Sequence, residues 1–330
     1  MNVEKLDDIL KDFPAYRKKQ VLAYMFKNFV SDFDEMTSLP KDLREILKKN
    51  CSLEINSDMY ISDDLETYKS LITLSDGKKI EAVLMKHDDK RNTVCVSSQV
   101  GCPVGCEFCA TGRMGFTRNL TVDEILLQVV LFERLLKKEN SRVTNVVFMG
   151  MGEPMFNYEN VMSAVRLLNS KGFFGIAARH ISISTSGIVG GIKRLMEEKL
   201  QINLAISFHA PTDEKRSKIM PINKNFGISA IVSALKEYIL KTKRRVMIEY
   251  ILIDHINDFE ADAYKLADIV KGDYFFVNLI PYNPTGEFKP SFSERVKKFK
   301  EILKGRGITV TQRYRFGRGI KAACGQLAVK

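Results

Sequence analysis

From Asn92 onward the chain alternates short runs rich in β-branched and aromatic residues with amphipathic stretches, and no other feature restricts its fold as much. The runs are TVCVSS, NVVFM, HISIS, INLAIS, VMIEYIL and YFFVNLI, separated by segments such as TVDEILLQVVLFERLLKK and SALKEYILKTK. Strands separated by helix-length crossovers are joined as parallel neighbours, with the helices covering the sheet. The expectation is an α/β fold whose parallel sheet is closed or nearly closed into a barrel.

Upstream the pattern differs. Residues 1–50 read as helices (DDILKDF, then YRKKQVLAYMFKNF behind a proline, then PKDLREILKK) with lysines and arginines opposite the apolar positions. They form a basic accessory module expected to bind RNA. Residues 51–91 carry LITL and KIEAVLM around Ser75-Asp76-Gly77, a hairpin signal. Residues 313–330 form a C-terminal segment that carries the last cysteine, Cys324.

Catalytic groups of parallel barrels sit where strands end. Here those positions are polar and glycine-rich: Gly150 to Pro154 after NVVFM, Thr185-Ser186-Gly187 after HISIS, Ser207 to Pro211 after INLAI, and Pro281 to Pro284 after YFFVNLI. Any one such loop reads as a turn; successive loops on one rim read as a ligand site.

Four of the six cysteines fall between Cys95 and Cys109. Cys102, Cys106 and Cys109 form C-x3-C-x2-C after the first barrel strand, on a loop loosened by Gly101, Pro103 and Gly105. Closed zinc sites take four ligands, and no fourth cysteine or histidine follows at short spacing, since the histidines are 87, 180, 209 and 255. Three thiolates suit a four-iron cluster that keeps one iron open to a small molecule.

The 330-residue chain is 45% hydrophobic, with no apolar run of membrane-spanning length and no secretory leader at MNVEKLDDIL. A cytoplasmic protein with no membrane association is expected, and in a reducing compartment clustered cysteines point to metal or redox chemistry rather than disulfides. Lys plus Arg exceed Asp plus Glu by 51 to 40, a net +11, which favours a polyanion such as RNA as partner.

The segments CVSSQVGCPVGCEFCATGRMGFTRNLT, VVFMGMGEP, SISTSG, SFHAP, MPIN, EYILIDHIND and AACGQL together resemble the RlmN/Cfr family of radical S-adenosylmethionine (SAM) RNA methyltransferases. The likeness runs from the basic helices to Cys324. It implies a radical SAM partial (β/α)6 barrel over 92–312. The pair Glu153-Pro154 and the stretch GFTRNL are more similar to the C2 branch, RlmN, than to the C8 branch, Cfr. The expected activity is therefore methylation of C2 of an adenosine in 23S ribosomal RNA, and also in tRNA. The alternatives are C8 methylation of the kind that confers antibiotic resistance, a radical SAM activase or oxidoreductase, and a non-catalytic RNA-binding protein with a structural metal.

The resemblance also assigns roles. Cys102, Cys106 and Cys109 would bind a [4Fe-4S] cluster, and Gly152, Glu153, Ser184, Ser207, Phe208, His209 and Asn283 would contact SAM, two molecules of which are used per turnover. Cys324 would carry the methyl group as S-methylcysteine, because an adenine C2 carbon is too poor a nucleophile to take it directly from a sulfonium. A methylene radical on Cys324 would add to the ring, joining RNA and protein. Glu81 would act as general base, and Cys95 would release the product by forming a transient disulfide with Cys324. An electron donor such as flavodoxin or ferredoxin and a monomeric state are implied. Cys51 matches no functional cysteine. Arg244-Arg245 and the basic run 313–318 are expected to neutralise phosphates.

Overall fold

The computed structural model describes residues 5–272, 274–286, 288–313, 317 and 319–329. Its strands are β1 (Ser57–Ile61), β2 (Thr67–Thr73), β3 (Lys79–Lys86), β4 (Asn92–Cys95), β5 (Gln99–Gly101), β6 (Phe116–Asn119), β7 (Asn145–Phe148), β8 (Ile181–Thr185), β9 (Asn203–Ser207), β10 (Val246–Leu252), β11 (Phe275–Pro281) and β12 (Thr309–Gln312). Ten of them form one sheet in the order β1-β2-β3-β4-β7-β8-β9-β10-β11-β12, while β5 and β6 pair separately. From β4 to β12 every neighbour is parallel, whereas β1 to β4 are antiparallel.

The six runs read from the sequence are β4 and β7 to β11, and a helix crosses over between each consecutive pair. The sheet is an open partial barrel with β1 and β12 at its edges. β12 adds a seventh parallel strand whose four residues, TVTQ, carry too little apolar pattern to be read. β1 was equally illegible because it has no fully buried side. The β2–β3 hairpin turns through Gly77, whose φ of +78° sits in the region that favours glycine, and Leu74 and Lys78 close the turn.

Strand periodicity divides the residues between two environments. Val94, Val146, Ile183, Leu204, Ile248 and Val277 point outward beneath the helices and are essentially inaccessible. Each such side chain contributes about 1.5–3 kcal/mol by its burial. Their neighbours one residue away, among them Cys95, Val147, Ser184, Glu249 and Asn278, line the concave face and its cavities.

Helix 122–137 shows how the sequence sets this frame. Thr121 and Glu124 form a reciprocal capping box at its start. Its Gln128 amide exchanges two hydrogen bonds with the Ser97 main chain (2.8 and 2.9 Å), fixing the loop that leaves β4. At its other end Arg134 donates to Leu53 O and Val30 O, and Lys137 to Asn28 O. These bonds dock the N-terminal helices 6–10, 15–26 and 41–50 on the barrel, helped by Phe26 against Phe173 and Phe174. Among the described residues no helix is long and apolar enough to cross a membrane.

Candidate active site

Two chambers open on the concave face, the smaller at the strand ends and the larger reaching back to the starts of β7, β8 and β9 at Asn145, Ser182 and Asn203. The smaller, about 150 Å³, is lined by Cys102, Cys106, Cys109, Gly152, Glu153, Ser184, Ser207 and His209. The larger, about 860 Å³, contains Cys95 and the inward side chains of β3, β4, β7 and β11. Cys324 and Arg313 line both.

The cysteine loop is held by main-chain bonds: Cys102 N donates to Gly115 O (2.8 Å), Cys109 N to Cys106 O (3.1 Å) and Glu107 N to Ile219 O (3.0 Å). Gly101 is required here, because a Cβ would lie 1.9 Å from Gly115 O and φ is +74°. Burial pushes the Cys102 thiol up to about 12 and raises Cys106 and Cys109 as well, with the thiols opposing one another's ionisation at Cys102 and Cys106.

Across the chamber, Glu153 accepts from Ser186 N (2.7 Å) and Met155 N (3.0 Å), while its own N–H donates to Gln99 Oε1 (2.8 Å). Burial raises the Glu153 carboxyl, and those amide donors hold it down in part. The preceding Gly152 has φ +101°, and a Cβ there would strike Gln99 at 2.6 Å. Ser184 and Ser207 hydroxyls lie 3.4 Å apart on adjacent strand ends.

His209 adopts φ +60°, a strained conformation for a non-glycine residue. Its carbonyl accepts from Asn257 Nδ2 (2.6 Å) and its Nδ1 from Ile251 N (3.1 Å). Burial, reinforced by Arg216, pulls the imidazole down to about 3. The ring is therefore neutral, and the network assigns its proton to Nε2.

At the junction Arg313 donates to Cys324 Sγ (2.8 Å), to Glu249 Oε1 (3.0 Å) and to Met149 Sδ (3.3 Å). Asn278 Nδ2 donates to the other Glu249 oxygen (2.9 Å). Burial raises Glu249, with Arg313 and Asn278 opposing, whereas the surrounding Cys324, Glu249 and Cys95 groups raise Arg313 against the effect of its own burial. Cys95 is pushed up to about 12, mainly by burial and further by Cys324. All six cysteines are free thiols.

The segment bearing Cys324 lies along the cysteine loop. Ala110 N donates to Gly325 O (2.7 Å), Thr111 Oγ1 to Leu327 O (2.5 Å) and Asn283 Nδ2 to Cys324 O (3.3 Å). Glu81 fastens its end, taking Ala328 N on Oε2 (2.8 Å) and Lys69 Nζ on Oε1 (3.0 Å).

The sequence-derived residues thus separate into groups. The three motif cysteines share the smaller chamber with Gly152, Glu153, Ser184, Ser207 and His209, and Cys95 shares the larger with Cys324. Asn283 lines the larger chamber instead, and Phe208 is wholly buried and lines neither. Glu81 shares the strand face of Val83 and Met85 but lies under the C-terminal segment, outside both chambers. Arg313, read as a phosphate contact, faces inward to Cys324 and Glu249. Arg315 and Arg318 lie outside the described residues. Sequence reasoning missed Glu249, although its polar side chain in the apolar run VMIEYIL was a signal.

The donor set fits a cluster. Among the described residues no three His, Cys, Asp or Glu side chains converge closely enough to hold a single metal ion. Three thiols spread around one chamber suit iron atoms that each meet one sulfur better than they suit a lone zinc. The hydroxyls, carboxylate and imidazole opposite them suit a polar ligand bearing amino, carboxylate and ribose groups.

Comparison with known proteins agrees. Residues 96–267 match the Radical SAM superfamily, and residues 1–53 match the ribosomal RNA large subunit methyltransferase N-terminal domain. The chain is 44% identical over 330 residues to a probable dual-specificity RNA methyltransferase RlmN of Dictyoglomus thermophilum, covering 99% of this chain and 94% of the relative. It is 42% identical to the ribosomal RNA large subunit methyltransferase N of Nitrosopumilus maritimus, covering 98% and 96%. The crystal structure of a radical SAM methyltransferase from Sphaerobacter thermophilus superposes with a TM-score of 0.93 at 44% identity, covering 99% of this chain and 97% of that one.

Proposed function

The chain belongs to the RlmN family of radical SAM RNA methyltransferases, and on that premise we propose that it methylates C2 of an adenosine in 23S ribosomal RNA, with tRNA as a second substrate. The observation that carries the reading is the position of Cys324, on the wall common to the chamber of the three thiols and the chamber of Cys95.

Cys102, Cys106 and Cys109 would hold the four-iron cluster, and Gly152, Glu153, Ser184, Ser207 and His209 would bind SAM, with Asn283 contributing from the adjoining wall and Phe208, whose main chain is held by Glu249, Ala210 and Arg216, keeping Ser207 and His209 in place. When bound, the two supply a methyl group and, after one-electron reduction, a 5'-deoxyadenosyl radical. Arg313 donates to the Cys324 sulfur and so holds it at the junction, where both chambers reach it. The sulfur takes the methyl group from one side and presents it to RNA on the other, so no large movement separates the two steps.

The larger chamber is of a size to enclose a single base taken out of its stack. A hydrogen atom is first taken from the Cys324 methyl group, its carbon joins the ring, and the adduct passes its unpaired electron to a one-electron acceptor such as the oxidised redox partner. Cys95, having given up its proton, then attacks the Cys324 sulfur as the thiolate; the disulfide forms as the carbon–sulfur bond breaks, and the electron pair left on the carbon takes up a proton to complete the methyl group. The ring proton passes to Glu81 in this reading, which requires Ala328 first to leave the carboxylate. A small redox protein supplies the electron, and the cytoplasm is the compartment where these RNAs are met.

Nucleoside mass spectrometry of 23S ribosomal RNA and tRNA treated with the reconstituted enzyme tests the proposal. 2-Methyladenosine is expected in both. 8-Methyladenosine would transfer the reading to the C8 branch, and unmodified adenosine would refute it.

A further inference from the structure

Arg216 lies on helix 213–219, outside both chambers, and is a completely buried cation. Among the described residues all five of its hydrogen bonds go to neutral acceptors. Nε donates to Phe208 O (3.0 Å); Nη1 to Asn223 Oδ1 (2.8 Å) and Phe226 O (3.3 Å); Nη2 to Ser186 O (2.5 Å) and Ser207 O (3.2 Å). A carboxylate enters only through a relay, because Asn223 Nδ2 donates to Asp213 Oδ1 (3.0 Å).

Three of these acceptors, the carbonyls of Ser186, Ser207 and Phe208, lie at the strand ends beside the smaller chamber. Ser186 follows β8, Ser207 ends β9 and Phe208 follows it. The same helix meets the cysteine loop, since Ile219 O accepts from Glu107 N (3.0 Å), next to Cys106, and Met220 N donates back to Arg216 O (2.7 Å) while Met220 lines the chamber. Burial draws the guanidinium down to about 10, with Cys106 and Asp213 pulling the other way, so its charge is poorly compensated by protein groups.

A cation placed in this way implies an anion in the same interior. A four-iron cluster held by three thiolates is such an anion, and it becomes more negative when it accepts an electron. We propose that Arg216 is a positioning residue that ties the β8 and β9 loops to the cysteine loop and balances the charge of the reduced cluster, making the cluster easier to reduce. This rests on the reading of the three cysteines as cluster ligands. It extends that reading to a residue that lines neither chamber and acts through the electrostatic field and the Ser186, Ser207 and Phe208 carbonyls.

The test uses the full chain, reconstituted anaerobically, as wild type, Arg216→Lys and Arg216→Gln. Iron content and electron paramagnetic resonance are recorded first, because wild-type protein that takes up no iron would overturn the cluster reading and this inference with it. Redox titration of the loaded proteins should then give a lower midpoint potential in Arg216→Gln and a near-wild-type value in Arg216→Lys, which keeps the charge with fewer bonds. The rise in melting temperature on loading should be smaller in Arg216→Gln than in wild type. A purely structural role predicts that both variants lose apo-protein stability with no change in potential, and that result would overturn the inference while leaving the cluster reading intact. Should Arg216→Gln fold too poorly to load, Asp213→Asn carries the test, because it keeps the oxygen that accepts from Asn223 and Ile228 and removes the carboxylate that offsets the guanidinium. A raised potential is expected, and an unchanged one rejects the proposal.

Discussion

Replacing Arg313 by methionine removes the cation at the junction while filling much of its volume. The change leaves Glu249, whose side chain is only 3% exposed, with Asn278 as its remaining side-chain donor. Breaking a buried pair costs about 3–5 kcal/mol. Because Arg313 is 26% exposed and Asn278 still donates to Glu249, the expected loss is nearer about 2–3 kcal/mol. The loss depends on pH. Glu249 is already raised by burial, and without Arg313 it rises further. The folded state then holds the proton more tightly than the unfolded one, so stability falls as pH climbs from the ordinary glutamate value of about 4.3 through the raised folded value. Urea unfolding of apo wild type and Arg313→Met at pH 4 and pH 8 should therefore show a small difference at pH 4 and the full difference at pH 8. Adding Glu249→Gln to Arg313→Met should recover most of the loss. A difference independent of pH, or no recovery in the double variant, would refute the account of the junction.

Three further outcomes follow from the same geometry. Cys102→Ala should fail to assemble a normal cluster, read as iron content well below the roughly four irons per chain expected for three-thiolate ligation; a normal cluster would remove the basis of the smaller chamber. Glu81→Gln keeps an oxygen for Ala328 N but strands Lys69, which is 11% exposed, so a loss of about 3 kcal/mol and faster proteolysis within 319–329 are expected. Protection equal to wild type would show that Glu81 does not fasten the C-terminal segment. Cys95→Ala should accumulate protein covalently joined to RNA on denaturing gels, and normal product yield without adduct would exclude Cys95 as the resolving thiol.

The parallel core was readable because buried strands advertise themselves. VMIEYIL and YFFVNLI have few polar residues, and the helices between them keep a regular apolar stripe. The edges were not, since β1 and β12 bury little and their sequences follow the needs of solvent. The site was legible where chemistry demands a fixed residue type at fixed spacing, as in the three motif cysteines, or a special backbone, as at Gly152. Where a role depends on contacts far apart in sequence it was hidden. Arg313 sits in a run of basic residues that reads as surface charge, and only folding brings it against Glu249 and Cys324. Arg216 looks like one cation among several on an exposed helix, yet its side chain is sealed between two loops. Glu81, whose role as base comes from the resemblance alone, reads in sequence as an exposed strand residue, and only folding buries it between Lys69 and Ala328.

An isotope chase at Cys324 tests the central claim most directly. Protein carrying an isotopically labelled methyl group on Cys324 is given unlabelled SAM, reductant and RNA for a single turnover, after which the Cys324 peptide and the RNA nucleosides are both weighed by mass spectrometry. If Cys324 passes the group between the two chambers, the labelled carbon appears in methyladenosine and leaves the peptide. Unlabelled methyladenosine, with the label still on Cys324, would contradict the account.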